Sequence, residues 1–314
     1  MLDLKFKTCI VDGMEQYSFI ETEQNNQKEE IRTERFPESL LAFAYISMDT
    51  ISPLFSEIST IFKLLVNKQG NRTADDILHI LDDLASRHVY FEIFRLEWAE
   101  QIKQAQSTGP LHQLWQQRTC HMPEQLAVMQ RQIKELFASV LDIDGENKPI
   151  SGKMASYAMT DCAFQFRAQS LHFERWNGAV FAEVFYPKSV YDIISYHLQE
   201  CVVRELRFRI CRNCGQYFCI AGRSTTIYCH RSYGDKGSTC SGVGSVNAWT
   251  QKRRGDEAFL SYRREYKRRF AWSKAGKLTQ HDFYAWSKQA REKKSDYDTG
   301  KIPYKSFFEL LRSS

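Results

Sequence analysis

Five of the nine cysteines fall between Cys211 and Cys240, in the stretch CRNCGQYFCIAGRSTTIYCHRSYGDKGSTC. It opens on Cys211-x-x-Cys214 followed by Gly215, offers a third thiol at Cys229 and closes on Cys240. Two cysteines two residues apart in a tight turn aim both sulfurs to one side, and a following glycine supplies the backbone conformation that turn needs. The spacing predicts one tetrahedral Zn2+ held by Cys211, Cys214, Cys229 and Cys240, structural because four thiolates close the coordination shell. Gln216–Phe218 and Thr225–Tyr228 read as two short strands around Gly222-Arg223-Ser224, so the module is expected to be a ribbon. Two alternatives stay open at the ligand level, with His230 or Cys219 in place of one thiolate. Disulfides would need an oxidising compartment. A redox dithiol would need a βαβ setting that the flanking pattern lacks.

A second chemistry follows the cysteines. Lys252-Arg253-Arg254, Arg263-Arg264 and Lys267-Arg268-Arg269 place eight cations between residues 252 and 269, interleaved with tyrosines. Such groups release counterions when they neutralise phosphates, and nearby aromatic rings stack on exposed bases. Lys252, Arg253, Arg254, Arg263, Arg264, Lys267 and Arg268 are therefore the candidate nucleic-acid contacts. Against this, a basic face also keeps a helix solvated, and Phe259, Tyr262, Tyr266 and Phe270 recur at the three- and four-residue spacing of a core stripe. The charge distribution agrees with an anionic partner. Residues 201–314 hold 24 Lys and Arg against 10 Asp and Glu, whereas the first 200 hold 19 against 28. An acidic body is thus joined to a basic end, and the two could also attract each other.

The elements that position these groups are mostly helical. Residues 3–20 alternate around Asp12-Gly13 and predict a hairpin. Residues 21–35 are polar and read as a loop or weakly ordered linker. Pro37 opens a long helical region that Pro53 is expected to divide and Gly70-Asn71 to close. Thr73 caps the next helix, which runs to about residue 104 until Gly109-Pro110, and Pro123 opens another to about Leu141. Asn177-Gly178 marks a second hairpin, flanked by alternating residues from Leu171 to Tyr186. Ser189 caps a helix that leads into the first cysteine pair. Beyond the last cysteine, Gly242-x-Gly244 reads as a turn, and helices are expected from Ser245, Asp256, Thr279 and Pro303. The fold class is α+β, mostly helical. It divides into an acidic, α-rich domain over residues 1–187 with hairpins, and a basic zinc-ribbon or treble-clef-like module with C-terminal helices over 188–314.

Catalytic patterns are weak. No phosphate-binding glycine loop and no nucleophile elbow occurs, and the eight histidines are scattered. His197 lies on an apolar helix face and reads as a core residue. No apolar run is long enough to cross a bilayer, and the start MLDLKFKTCIVDG lacks a signal-peptide pattern, so a cytoplasmic protein is expected.

The run Cys211-Arg-Asn-Cys-Gly-Gln-Tyr-Phe, with Tyr228-Cys229, Cys240, Tyr262, Tyr266-Lys267 and Trp286, resembles an uncharacterised bacterial domain family of unknown function, common in clostridial-type Gram-positive bacteria. The resemblance covers residues 188–314 and implies a helix entering a zinc module with a basic, aromatic tail. Where that family often has an acidic residue after the third cysteine, this chain has His230. A looser likeness is to CGNR-type zinc fingers, whose cysteine pair precedes a basic helix, although the Cys-Gly-Asn-Arg tetrapeptide is missing here. Together these readings predict a zinc-stabilised nucleic-acid-binding protein, with DNA the expected partner. The alternative is a protein-interaction module with structural zinc, in which the basic tail packs on an acidic partner or on this chain's own N-terminal domain; the N-terminal helical domain also offers a surface for a protein partner.

Overall fold

The computed structural model describes residues 6–23, 26–67, 73–108, 121–176, 178, 180–220, 222–234 and 237–313. Gly70-Asn71, Gly109-Pro110 and Asn177 lie outside them. The chain forms two compact units, Met1–Cys211 with Gly215–Ile227, and Arg212–Cys214 with Tyr228–Ser314. The architecture is α+β and mostly helical, with small antiparallel sheets.

In the first unit, β1 (Phe6–Val11) and β2 (Met14–Glu23) form the expected hairpin. Asp12 and Gly13 both take positive φ, 51° and 73°, as a two-residue primed turn requires. The hairpin of β4 (Leu171–Trp176) and β5 (Val180–Phe185) joins it through Thr8↔Phe185 and Cys9↔Val184. The result is one five-stranded sheet in the order β3-β2-β1-β5-β4.

The fifth strand, β3 (Asn26–Arg35), replaces the loop expected at residues 21–35. Its charged composition suits an edge strand, where backbone pairing to β2 needs no apolar side chains. Arg32 then bonds Glu30 at 2.8 Å and Glu92 at 2.9 Å, so the charges are used and not merely solvated.

Helices cover one face of the sheet. They are α1 (Glu38–Ala44), α2 (Met48–Val66), α3 (Ala74–Arg87), α4 (Glu92–Thr108), α5 (Met122–Leu136), α6 (Ile150–Ala158) and α7 (Val190–Val203). Phe6, Tyr17 and Phe19 of the sheet share a core with Phe43, Phe55, Phe62, Leu81, Ile133, Phe137, Ile193 and Leu198. The Thr73 cap forms a capping box with Asp76, and Ser189 Oγ accepts from the Asp192 amide, both as the sequence indicates.

The first helical region breaks at Tyr45–Ser47 and not at Pro53, which lies inside α2. Gln130 Nε2 donates to the carbonyls of Phe43 and Ile46 at 2.8 and 2.9 Å, satisfying the end of α1 from outside.

A polar cluster lies inside this apolar core. Glu15, Ser39, His88 and His197 are buried together with Tyr17 and Tyr90. Glu15 Oε1 accepts from the Ser39 amide at 2.7 Å and from the Ser39 hydroxyl. His88 Nδ1 accepts from the Tyr90 amide, so its Nε2–H donates to the Ser39 carbonyl at 2.9 Å and the ring is neutral. The Tyr90 hydroxyl lies 2.5 Å from His197 Nδ1, and Glu15 Oε2 is 3.9 Å from the same nitrogen.

Burial pushes the Glu15 carboxyl up to about 8 and the His88 and His197 rings down to about 4 and about 3. Between pH 4.5 and 8 the folded state keeps a proton on Glu15 that the unfolded chain has lost, so stability falls as pH rises. Below pH 6.5 the unfolded chain protonates histidines that the folded state keeps neutral, so stability falls as pH drops. Stability is therefore expected to peak near pH 6.5. Glu15→Gln, which mimics the protonated acid, should remove a loss on the order of 2 kcal/mol between pH 6.5 and 8. Urea midpoints across that range check this, and equal alkaline losses in both proteins would contradict it.

In the second unit, α8 (Cys240–Arg253) follows a short hairpin of β8 (Ser232–Tyr233) and β9 (Ser238–Thr239). Three more helices, α9 (Glu257–Lys274), α10 (Gln280–Asp298) and α11 (Tyr304–Ser313), pack into a bundle. Its core is Ala258, Phe283, Trp286, Ala290, Phe307 and Leu311. Tyr262 stacks on Trp286 at 6.4 Å and Tyr266 meets Phe283 edge-on at 5.2 Å, so these tyrosines belong to the core. Asp256 and Thr279 cap α9 and α10.

Candidate metal centre

The first cysteine pair sits at the tip of a hairpin. β6 (Phe208–Ile210) pairs with β7 (Tyr217–Cys219), so the turn between them is the Cys-x-x-Cys-Gly segment itself. The amide of Gly215 donates to the Cys211 carbonyl and that of Cys211 to the Gln216 carbonyl, both at 2.9 Å. Gly215 has φ +71°, a left-handed conformation in which a side chain would be strained.

This corrects the expected strand pairing of residues 216–218 with 225–228. The segment after β7 is held by a side chain and not by a ladder. Arg209 Nη1 donates to the carbonyls of Ser224 and Thr226 at 2.6 and 2.8 Å, while its other nitrogens grip Asp144 at 2.6 and 2.7 Å. Phe208 stacks on Phe137 at 4.3 Å, which roots β6 in the core of the first unit.

Cys229 precedes β8, and Cys240 is the first residue of α8. The Cys240 amide donates to the Arg231 carbonyl at 2.9 Å, and Thr239 Oγ1 accepts from the Gly242 amide at 3.3 Å. The helix thus begins at the cysteine, which corrects the expected turn at Gly242-x-Gly244. Gly244 is needed for closeness: a Cβ there would meet the Tyr228 ring at 2.5 Å. The glycine lies one turn after Cys240, and its neighbour Tyr228 directly precedes Cys229. This packing was not read from the sequence. The signal that could have revealed it is a glycine four residues beyond a ligand, on the same side of the helix.

The sulfurs of Cys211, Cys214, Cys229 and Cys240 all lie within 4.8 Å of one another, and three of the four cysteines are buried. Such a group could hold a metal ion. The Cys214 and Cys229 sulfurs are 3.7 Å apart, well beyond the ~2.05 Å of a disulfide. That separation fits the ~3.8 Å edge of a tetrahedron whose metal–sulfur bonds are ~2.3 Å. Asn213 Nδ2 lies 3.4 Å from Cys240 Sγ, a donor suited to a thiolate.

The two substitutes considered for a thiolate lie elsewhere. His230 is exposed, with Nδ1 3.3 Å from Ser241 Oγ. Cys219 packs against the first unit's core, where burial pushes its thiol up to about 11.

The cations divide by environment. Arg263, Arg264, Lys267 and Arg268 are all exposed on α9. Arg268 bonds Glu265 and lies 4.8 Å from the Trp272 ring. Arg269 is buried, paired with Glu265 at 2.9 Å and stacked on Trp286. Arg253 is half-buried, 3.5 Å from Asp256 and 4.6 Å from the Phe259 ring, so it ties α8 to α9. Arg254 is exposed, and the Lys252 side chain lies outside the described residues.

Residues 158–309 match DUF6076, a family of unknown function. The cysteine cluster and nearly all of the helical bundle fall inside that span. No curated protein and no solved structure matches the chain. Among the described residues, no helix is long and apolar enough to cross a membrane.

Two outcomes follow from this geometry. Cys229→Ala should lose bound metal while His230→Ala keeps it, as read by elemental analysis of purified protein; the opposite pattern would make His230 the ligand. Gly244→Ala should destabilise the module by about 1–3 kcal/mol through the clash with Tyr228. In a Tyr228→Ala background the same change should cost little, and equal costs in both backgrounds would show that the ring is not the cause.

Proposed function

We propose that this chain is a nucleic-acid-binding protein, acting on DNA, in which one structural zinc held by Cys211, Cys214, Cys229 and Cys240 fixes the start of α8. The zinc assignment rests on the four-sulfur cluster, whose all-cysteine donor set suits a soft, tetrahedral ion. Four thiolates and one dication leave about −2 of local charge, too little to reverse the basic balance of residues 201–314. The arrangement of a cysteine-pair hairpin, a second hairpin and a helix opening on the last cysteine is treble-clef-like.

The observation that carries the DNA reading is the outer face of α9. Among the described residues, Arg263, Arg264 and Lys267 are exposed and make no ion pair with a carboxylate. The aromatic stripe on the same helix is consumed by the bundle, so this face is not needed for folding. Unneutralised cations held at helical spacing on a folded bundle fit a phosphate backbone. Arg254 extends the basic surface at the end of α8, whereas Arg253 has a structural role as well.

A second reading has its own observation. Phe173 and Phe181 on the β4–β5 hairpin are 73% and 57% exposed and stack at 5.7 Å, an aromatic patch suited to a protein partner of the first unit. Phe173→Glu would weaken such a partnership.

Changing Arg263, Arg264, Lys267 and Arg268 to Gln tests the DNA reading. The bundle should stay folded, because all four side chains are exposed and the Arg268–Glu265 pair contributes only roughly 0–1 kcal/mol. Duplex affinity should fall for all sequences alike, and the slope of log K against log salt should shrink by about 0.9 for each phosphate that is no longer neutralised. A folded variant with wild-type affinity and slope would refute this role for α9.

A further inference from the structure

On the function proposed above, the four exposed cations of α9 would hold a backbone without reading it, but the helix before them has the surface of a reader. α8 is a 14-residue helix, so it rises ~21 Å. Its N-terminus is fixed by the Thr239 cap, the Cys240 amide bond to Arg231 and the close seat of Gly244 on Tyr228. Beyond that seat nearly every side chain is open. Ser245, Val246, Asn247, Ala248, Trp249 and Gln251 are all exposed.

The two sides of this free half differ. Trp249 and Arg253 form the back, Trp249 meeting Phe259 of α9 edge-on at 5.0 Å and Arg253 lying over the same ring. Asn247, Ala248 and Gln251 form the opposite strip, since residues at i and i+4 share a helix face. No Asp or Glu occurs from Cys240 to Gly255. A strip of small and amide side chains without an apolar run does not suit a protein groove, which asks for anchors at i, i+3, i+4 and i+7. It does suit a DNA groove. A helix ~10–12 Å across fits a major groove ~12 Å wide, Asn and Gln pair with the N6 and N7 edge of adenine, and an alanine methyl meets the thymine methyl.

We propose that Asn247, Ala248 and Gln251 of α8 read base edges in the major groove of duplex DNA, while Arg254 and the α9 cations hold the flanking phosphates. This rests on the nucleic-acid reading above and adds sequence-specific duplex recognition to it. The metal cluster then has a defined purpose: it sets the N-terminus of the reading helix.

The test is selection from a duplex pool with a randomised core, using the full-length protein. Wild type should enrich a short site containing adenine. In Asn247→Ala/Gln251→Ala, the ratio of affinity for that site over an unrelated duplex should fall about 10-fold or more. Removing the α9 cations should lower both affinities and leave the ratio nearly in place. Circular dichroism and metal content confirm that each variant is folded. Two outcomes would overturn the inference while sparing the wider reading: retention of duplex with no enriched site, or the same ratio in the double variant. Absence of duplex retention by wild type at any salt would overturn both.

Discussion

Four cysteine sulfurs gathered within 4.8 Å are the constraint around which the C-terminal part of the chain is arranged. As thiols they would be poor hydrogen-bonding groups crowded into a partly buried space. As thiolates they would repel one another strongly at separations such as 3.7 Å. A dication would resolve both problems, and binding one would supply folding energy to the module around the cysteines. The surrounding geometry serves that cluster. Gly215 closes the turn, Arg209 and Phe208 root the hairpin, and Gly244 leaves room for the Tyr228 ring.

The first unit meets a different electrostatic problem. Glu15, His88 and His197 are buried near one another, and the core keeps all three neutral instead of pairing charges. Ser39 holds one Glu15 oxygen and Tyr90 holds His197, so the cluster fixes how the sheet, α1 and α7 meet. In the second unit, acidic side chains on the bundle are largely spent on local pairs such as Glu265 with Arg269 and Asp298 with Lys294. The outer cations of α9 are left over from that pairing. On the reading proposed here, those cations meet phosphates and α8 meets bases.

Much of this was legible in the sequence because the signals were local. The Asp12-Gly13 turn, the Thr73, Ser189, Asp256 and Thr279 caps and the tyrosine spacing each depend on a few neighbouring residues, and each appears where expected. What was not legible depended on distant partners. Residues 26–35 are short of apolar anchors, yet they form β3 because β2 offers an open edge. Thr225–Tyr228 has strand composition, yet Arg209 takes the carbonyls of Ser224 and Thr226. Nothing near Glu15 announces His197, which is brought to it only by the packing of α7 on the sheet. The four cysteines were legible as a set because metal spacing is a strong local pattern. The start of α8 at Cys240 was not, since two glycines resemble a turn until the ring of Tyr228 is placed.

The account of the C-terminal module rests on the four cysteines holding one metal ion, so metal content is the most direct measurement. Protein purified under reducing conditions without chelator should carry one zinc per chain. Titration with a thiol-specific mercurial should release it in step with the four cluster sulfurs, accompanied by loss of ordered structure in α8. Reduced, folded protein with no bound metal and four reactive thiols in the cluster would contradict the account.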